Sequence, residues 1–470
     1  MEANRTPKNA TRRDFLKTAG ALGAGLVASG AMTQAHGADA PHRVEALAIN
    51  GGPKAITAPT GDATKWPLYG DEEIDLVTKL LRNPGYGPIA EFEDAWKAHF
   101  GSPFAKAHCN GTNALTSMLF ACDYPEGSEI IVCDYSTWFP LVPMRLFGLV
   151  PVLVDANPRT MNIDLEAFKK AITPKTRAVL AVHWYGMPCD LEEICAIAKE
   201  RGIDVLEDAS HAHGAKVKDT WIGNWGRMAG FSLQSTKPLP AIEGGIAVYK
   251  ERGDYERAVT YGNYDLPGGF PEDSAYRKYQ GTALGSKLRM HPVSAILARI
   301  QLRDLDKRNA DGIAQMKTLN DRITQLPGLT AQYEGPGIHR VFYSRNFLYV
   351  DEKQSGMSRD KVVAALKAEG MDAAAYTLKL QHEYPVYKED KWWRHLPVLP
   401  ASTPACDELN AKTISLPYFT SAQPELVEQY AAAFEKVWAH KDSVGRGEVS
   451  VSARFWVLEV KRSETERTVF

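Results

Sequence analysis

The stretch ITPKTRAVLAVHWYGMPCDLEEICAIAKERGIDVLEDASHAHGA, residues 172–215, decides the fold class. AVLAV (178–182) and IDVLEDA (203–209) are apolar runs of strand length. Between them Leu191, Ile194, Cys195 and Ala198 recur at helical spacing, and Gly202 ends the pattern. A strand, a helix and a second strand in this order predict a βαβ unit with parallel strands.

Further strand-length runs lie on either side. Upstream stand EIIVCD (129–134) and VPVLVDA (150–156), and downstream MAGFSLQ (228–234) and GGIAVYK (244–250). Two helical stripes precede them. Phe92, Ala95, Trp96 and His99 stop at Gly101, and Ala114, Leu115, Met118, Leu119 and Cys122 follow. Strands alternating with helices predict an α/β chain with a largely parallel sheet covered on both faces. Residues 44–264 read as this larger unit. Residues 265–291, rich in Gly, Pro and polar side chains, read as a connection. Residues 292–440 read as a smaller α/β unit, with a long helix over about 292–325 and a strand around VFYSRNFLYV (341–350). It continues with a helix from Ser358 to Glu369 and a last amphipathic helix carrying Leu426, Val427, Tyr430, Phe434 and Val437. Residues 441–470 receive no assignment.

The 470 residues carry 55 Lys and Arg against 57 Asp and Glu, scattered along the chain, which disfavours nucleic acid as a partner. The six cysteines form no C-x-x-C pair and read as core thiols. Near the N-terminus, TRRDFLK (11–17) precedes the uncharged run TAGALGAGLVASGAM, with Ala35, Gly37 and Ala38 beyond it. The Arg12-Arg13 pair, short apolar run and small residues predict a twin-arginine signal peptide over residues 1–37. Export to the periplasm or beyond is expected. The run is too short and too rich in Gly and Ala for a membrane span, and no long apolar segment appears past residue 40, so no membrane insertion is expected once it is removed.

Three features fall at strand ends, where open α/β sheets place ligands. The turn His108-Cys109-Asn110-Gly111-Thr112-Asn113 opens the Ala114 helix, and its N–H groups suit a phosphate or serve plain capping. Glu207-Asp208-Ala209-Ser210-His211 ends a strand, placing a carboxylate fit either for a protonated ring nitrogen or for an ordinary turn. His211 and His213 have no third partner at a recognisable metal spacing, so no metal is expected. Phe231-Ser232-Leu233-Gln234-Ser235-Thr236-Lys237 ends a further strand. A lysine buried there is a candidate amine nucleophile. A phosphate turn, an aspartate and a lysine in this order follow the plan of the aspartate-aminotransferase (type I) fold.

From about Trp66 to Trp438 the chain resembles the DegT/StrS family of sugar and cyclitol aminotransferases. The motifs are EFEDAWKAHFG, NGTNAL, VPVLVDANPRTMNID, the 172–215 stretch, FSLQSTK, EGG, LRMHPVSAILARIQLRDLD and ISLPYF. The resemblance implies a three-layer αβα fold, pyridoxal 5'-phosphate as cofactor and a homodimer with shared active sites. It implies ping-pong transfer from an amino donor, glutamate by family habit, to a keto-sugar or cyclitol acceptor. Lys237 is then the lysine that forms the internal aldimine. Asp208 pairs with the pyridine nitrogen, and His211 approaches the phenolic oxygen. Gly111, Thr112 and Ser232 bind the phosphate, and Trp138, or Thr137 on a strict alignment, covers the ring. Two positions depart from the family. Pro238 replaces the usual Asn after the lysine. Lys287 stands where an asparagine commonly reaches the phosphate of the neighbouring subunit. A related branch that dehydrates sugars has histidine in place of the lysine, so Lys237 disfavours that chemistry.

Overall fold

A computed structural model describes residues 45–61 and 63–444; the predicted signal peptide and the tail from residue 445 lie outside the described residues. Seven strands build the main sheet: β1 (Phe104–His108), β2 (Glu129–Cys133), β3 (Val150–Val154), β4 (Thr176–Val182), β5 (Asp204–Asp208), β6 (Met228–Ser232) and β7 (Gly245–Tyr249). Their order is β1-β7-β6-β5-β4-β2-β3. Strands β2 to β6 pair in parallel, and β7 runs antiparallel to both its neighbours. Every residue of β2 and β3 is buried, which explains why they read as unbroken apolar runs.

The sequence pattern missed β1, because Lys106 interrupts the run FAKAH. In the fold Lys106 is buried, and its Nζ lies 2.9 Å from Glu93 Oε1. Glu93 belongs to helix α1 (Gly87–Phe100), and the same oxygen accepts the Ala107 N–H at 2.9 Å. A charge can enter the sheet here because its counter-charge is supplied by the packed helix. The core around this sheet is completed by α2 (Gly111–Ala121) and α3 (Leu191–Arg201), the helices expected from the two apolar stripes.

A second sheet consists of β8 (Leu329–Ala331), β9 (Arg345–Val350), β10 (Ala374–Ala375) and β11 (Thr413–Pro417), antiparallel in the order β8-β9-β11-β10. The helix expected over 292–325 is two helices, α4 (Pro292–Arg303) and α5 (Leu305–Ile323), which meet at Asp304. Asp304 has φ −99° and ψ 2°, a bridge-region conformation that stops one helix and starts the next. Helices α6 (Arg359–Ala368) and α7 (Pro424–Ala439) contribute to this second core.

Leu47, Ile56 and Ala63, from the start of the described chain, pack in the second core as well. A fully buried carboxylate holds them. Glu369 accepts the N–H groups of Ala48 and Ala55 at 2.8 and 2.9 Å, and Lys436 Nζ of α7 lies 2.9 Å from it. Donors on both oxygens and a cation alongside offset the cost of burying that charge.

Candidate active site

The strand ends that the sequence singles out converge. Strand β5 ends in Asp208 and β6 in Ser232, while β1 runs into the turn that opens α2. Gly111 begins that helix against Ser232: a Cβ on Gly111 would lie 2.6 Å from Ser232 Cβ, so no larger residue fits unless β6 shifts. Asn110 caps the helix, its Oδ1 accepting the Asn113 N–H at 2.8 Å and its carbonyl the Ala114 N–H at 3.1 Å. The N–H groups of Gly111 and Thr112 have no hydrogen-bond partner among the described residues. Two free donors at the positive end of a helix, beside a serine hydroxyl, form an anion cradle.

Adjacent residues of β5 have different duties. Glu207 is buried and accepts N–H groups from Gly223, Trp225 and Gly226 at 2.8, 3.0 and 2.6 Å. His183 Nδ1 accepts the Cys189 N–H at 3.1 Å, so its Nε2 carries the proton and donates to Glu207 at 3.2 Å. Burial works to raise the Glu207 pKa, but the His183 hydrogen bond and these backbone donors prevail and hold it below the usual range. Glu207 therefore fixes the 223–226 loop. Asp208 is the less saturated carboxylate. Burial raises its pKa, opposed by Ser210, whose N–H lies 3.1 Å from Oδ1, and by the charge of Lys237.

Lys237 corrects the sequence expectation in one respect. It lies in a turn five residues beyond the last residue of β6 and is partly exposed, rather than buried at the strand end. Its carbonyl accepts the indole N–H of Trp66 at 3.1 Å. Its Nζ stands 4.4 Å from the Tyr343 ring centroid and has no hydrogen-bond or ion-pair partner among the described residues. The Tyr343 hydroxyl lies 2.7 Å from Thr236 Oγ1, and its ring stacks on His211 with centroids 4.3 Å apart. His211 Nδ1 accepts the Tyr185 N–H at 3.3 Å, which leaves the ring proton on Nε2. Burial and the nearby Lys237 charge hold His211 well below the ordinary histidine range, so it is neutral at pH 7. The same two causes bring His213 down to about 3.

The Lys237 charge thus acts on Asp208, His211 and His213, and Gly111 abuts Ser232, next to Thr112. These predicted residues come together. Trp138 and Lys287 do not join them in this chain. Trp138 is exposed on the loop after β2, and its only ring contact among the described residues is Phe139, at 4.2 Å. Lys287 is exposed and lines a separate open groove with Cys109, Glu243 and Arg289. The segment that bears it stays close to the phosphate turn, because the Cys109 N–H donates to the Leu288 carbonyl at 2.8 Å.

Sequence reasoning missed Tyr343 and Tyr185. Tyr343 is distant in sequence and sat inside a run read only as a strand. Tyr185 carried a weak local signal, standing three residues past β4 and just before Gly186; in the fold its φ of 48° is rare for a bulky residue.

Comparison with known proteins agrees with this geometry. The chain is 30% identical over 383 residues to the spore coat polysaccharide biosynthesis protein SpsC of Bacillus subtilis (strain 168), covering 79% of this chain and 95% of the relative. It is 28% identical over 387 residues to a putative L-glutamine:3-amino-2,3-dideoxy-scyllo-inosose aminotransferase of Streptomyces kanamyceticus, covering 80% of this chain and 87% of the relative. Among solved structures, DesI, determined in the presence of its TDP-sugar product, superposes with a TM-score of 0.69 at 26% identity, over 84% of this chain and 97% of that one. The fold is that of the pyridoxal-phosphate-dependent aminotransferases. Residues 68–435 match the model of the DegT/DnrJ/EryC1/StrS aminotransferase family, and the chain belongs to that family.

Proposed function

We propose that this protein is a pyridoxal-phosphate-dependent aminotransferase that moves an amino group from an amino acid, glutamate in the first instance, to a keto-sugar or cyclitol. The observation that carries this reading is the grouping of an unpartnered lysine amine with Asp208 and His211 beside a free anion cradle. The residues present fit the cofactor. Bound there, pyridoxal phosphate supplies an aldehyde for an amine and a ring that takes up the electrons of a breaking C–H bond. Gly111, Thr112 and Ser232 hold its phosphate. Asp208 would keep a proton on the pyridine nitrogen, and His211, with its proton on Nε2, would serve the phenolic oxygen. Lys237 Nζ provides the attachment point. As a free amine beside the bound group it would be the base and acid that moves a proton at the substrate carbon. Tyr343 lies under that amine and limits where it can swing.

The names of the relatives support the acceptor class: one is named for a cyclitol substrate, one for polysaccharide synthesis, and one structure was determined in the presence of its TDP-sugar product. Two copies are proposed to share sites, with Lys287 of each supplying a charge to the phosphate in the other and Trp138 covering the ring. To test the activity, the purified chain is incubated with pyridoxal phosphate, nitrogen-labelled glutamate, and nucleotide keto-sugars or scyllo-inosose. Mass spectrometry is expected to find the label on an acceptor. Cofactor uptake with no labelled acceptor would remove the assignment.

Export through the twin-arginine route is proposed from Arg12 and Arg13. Changing both to Lys is expected to hold the precursor in the cytoplasm, and an unchanged periplasmic yield refutes the signal.

A further inference from the structure

Seven residues other than glycine hold a left-handed backbone among the described residues, and two of them, Tyr185 and Ser344, flank a single buried side chain, Tyr343. Such conformations are costly and persist where neighbouring contacts over-determine them. Here the contacts are specific. The Tyr343 N–H donates to the Tyr185 carbonyl at 3.4 Å, and the Val341 N–H to that of Gly186 at 3.1 Å. A Cβ on Gly186 would lie 2.4 Å from the Val341 carbonyl oxygen, so the two segments close only over glycine. The Tyr418 N–H, just past β11, donates to the Ser344 carbonyl at 3.1 Å. The backbone of Tyr343 is therefore pinned between the turn after β4 and the second sheet.

What this backbone holds is a ring with partners on two further segments. The Trp184 and Tyr185 rings lie with centroids 5.4 Å from His211, tilted by 53° and 49°, whereas Tyr343 stacks on it at 4.3 Å and 23°. Stacking fixes the imidazole plane, while the Tyr185 N–H on Nδ1 fixes which nitrogen carries the proton. The same Tyr343 ring has Lys237 Nζ 4.4 Å from its centroid. Its hydroxyl, 2.7 Å from Thr236 Oγ1, ties it to the turn that bears that lysine. We infer that Tyr343 is a positioning residue, whose ring sets the plane of His211 and the resting place of the Lys237 amine relative to each other. The inference rests on the aminotransferase reading. The phenolic oxygen and the aldehyde of pyridoxal phosphate sit on adjacent ring carbons, so a histidine and an amine that serve them need a common support.

The test uses the full-length chain with pyridoxal phosphate added, as wild type, Y343F and Y343L. Y343F keeps the ring and loses the Thr236 bond; Y343L loses both. Nitrogen NMR of ring-labelled histidine, with His211 assigned by its absence in H211Q, reads the tautomer. The wild type is expected to carry the proton on Nε2. In Y343L the separation between the two ring-nitrogen signals is expected to shrink by about half or more as the tautomers mix, and in Y343F to stay as in the wild type. Borohydride trapping at timed intervals after cofactor addition measures how fast Lys237 is labelled. That rate is expected to fall at least about tenfold in Y343L and to stay within about threefold in Y343F. A residue that merely packs would lower the melting temperature of Y343L and move neither readout. An unchanged His211 pattern or labelling rate in Y343L overturns the inference, as does Y343F behaving like Y343L. Should Y343L fail to melt cooperatively, the wild type decides: stacked rings require an Overhauser contact between Tyr343 and His211, and its absence refutes the inference. Neither readout needs turnover. If both respond in Y343L while the wild type transfers no amine, the function proposed above falls and the positioning stands. If transfer proceeds and Y343L leaves both unmoved, the function stands and the positioning falls.

Discussion

Replacing Lys237 by alanine is expected to lower amine transfer by at least about 10⁴-fold while leaving the fold intact. On the proposed mechanism two functions would end with one side chain: the attachment of the cofactor and the movement of a proton, the latter alone worth about 10²–10⁴-fold. The structural loss is small. Lys237 Nζ makes no hydrogen bond or ion pair among the described residues, only the cation–π contact with Tyr343, worth about 0.5–1 kcal/mol at exposed sites. The anchor from Trp66 goes to the backbone carbonyl and survives the change. Borohydride reduction of the wild type with cofactor is expected to label Lys237 alone, as mapped by mass spectrometry, and K237A should carry no label. A label on another lysine, or K237A with activity near that of the wild type, would show that the amine acts elsewhere.

Changing Asp208 to asparagine should separate chemistry from cofactor retention. The amide has the same shape and can still accept the Ser210 N–H, so β5 should not move. What disappears is the negative charge proposed to face the ring nitrogen. Losing one partner of a buried pair costs about 3–5 kcal/mol, or roughly 150- to 4,000-fold in rate if the full amount falls on the transition state. The phosphate cradle at Gly111, Thr112 and Ser232 is untouched, so D208N is expected to purify with cofactor bound but to turn over slowly. Turnover within threefold of the wild type would mean that Asp208 is a turn residue, the role its position most often signals.

Most of the large sheet was legible because β2 and β3 are buried throughout and have no alternative to being continuous apolar runs. Asp208 and Ser232 were legible for a related reason, since each stands near the end of such a run, and Gly111 was legible from the helix it opens. What was not legible depended on contacts between distant segments. Strand β1 hides behind Lys106, whose burial makes sense only with Glu93 beside it. The exposure of Lys237 is set by the turn that follows β6, and the turn's path depends on Trp66, 171 residues earlier in the chain. Tyr343 reaches His211 only through the second sheet, so no local window could have joined them.

The Glu369 clamp ties the two ends of the described chain. The backbone of Ala48 and Ala55 has no such acceptor until residue 369 has been made, and the cation on the same carboxylate comes later still, at Lys436. The segment that leaves the ribosome early must therefore wait, undocked, for nearly the whole polypeptide to emerge. A chain cut short before α7 would present its leading end loose, which makes the seating of that end a signature of complete synthesis.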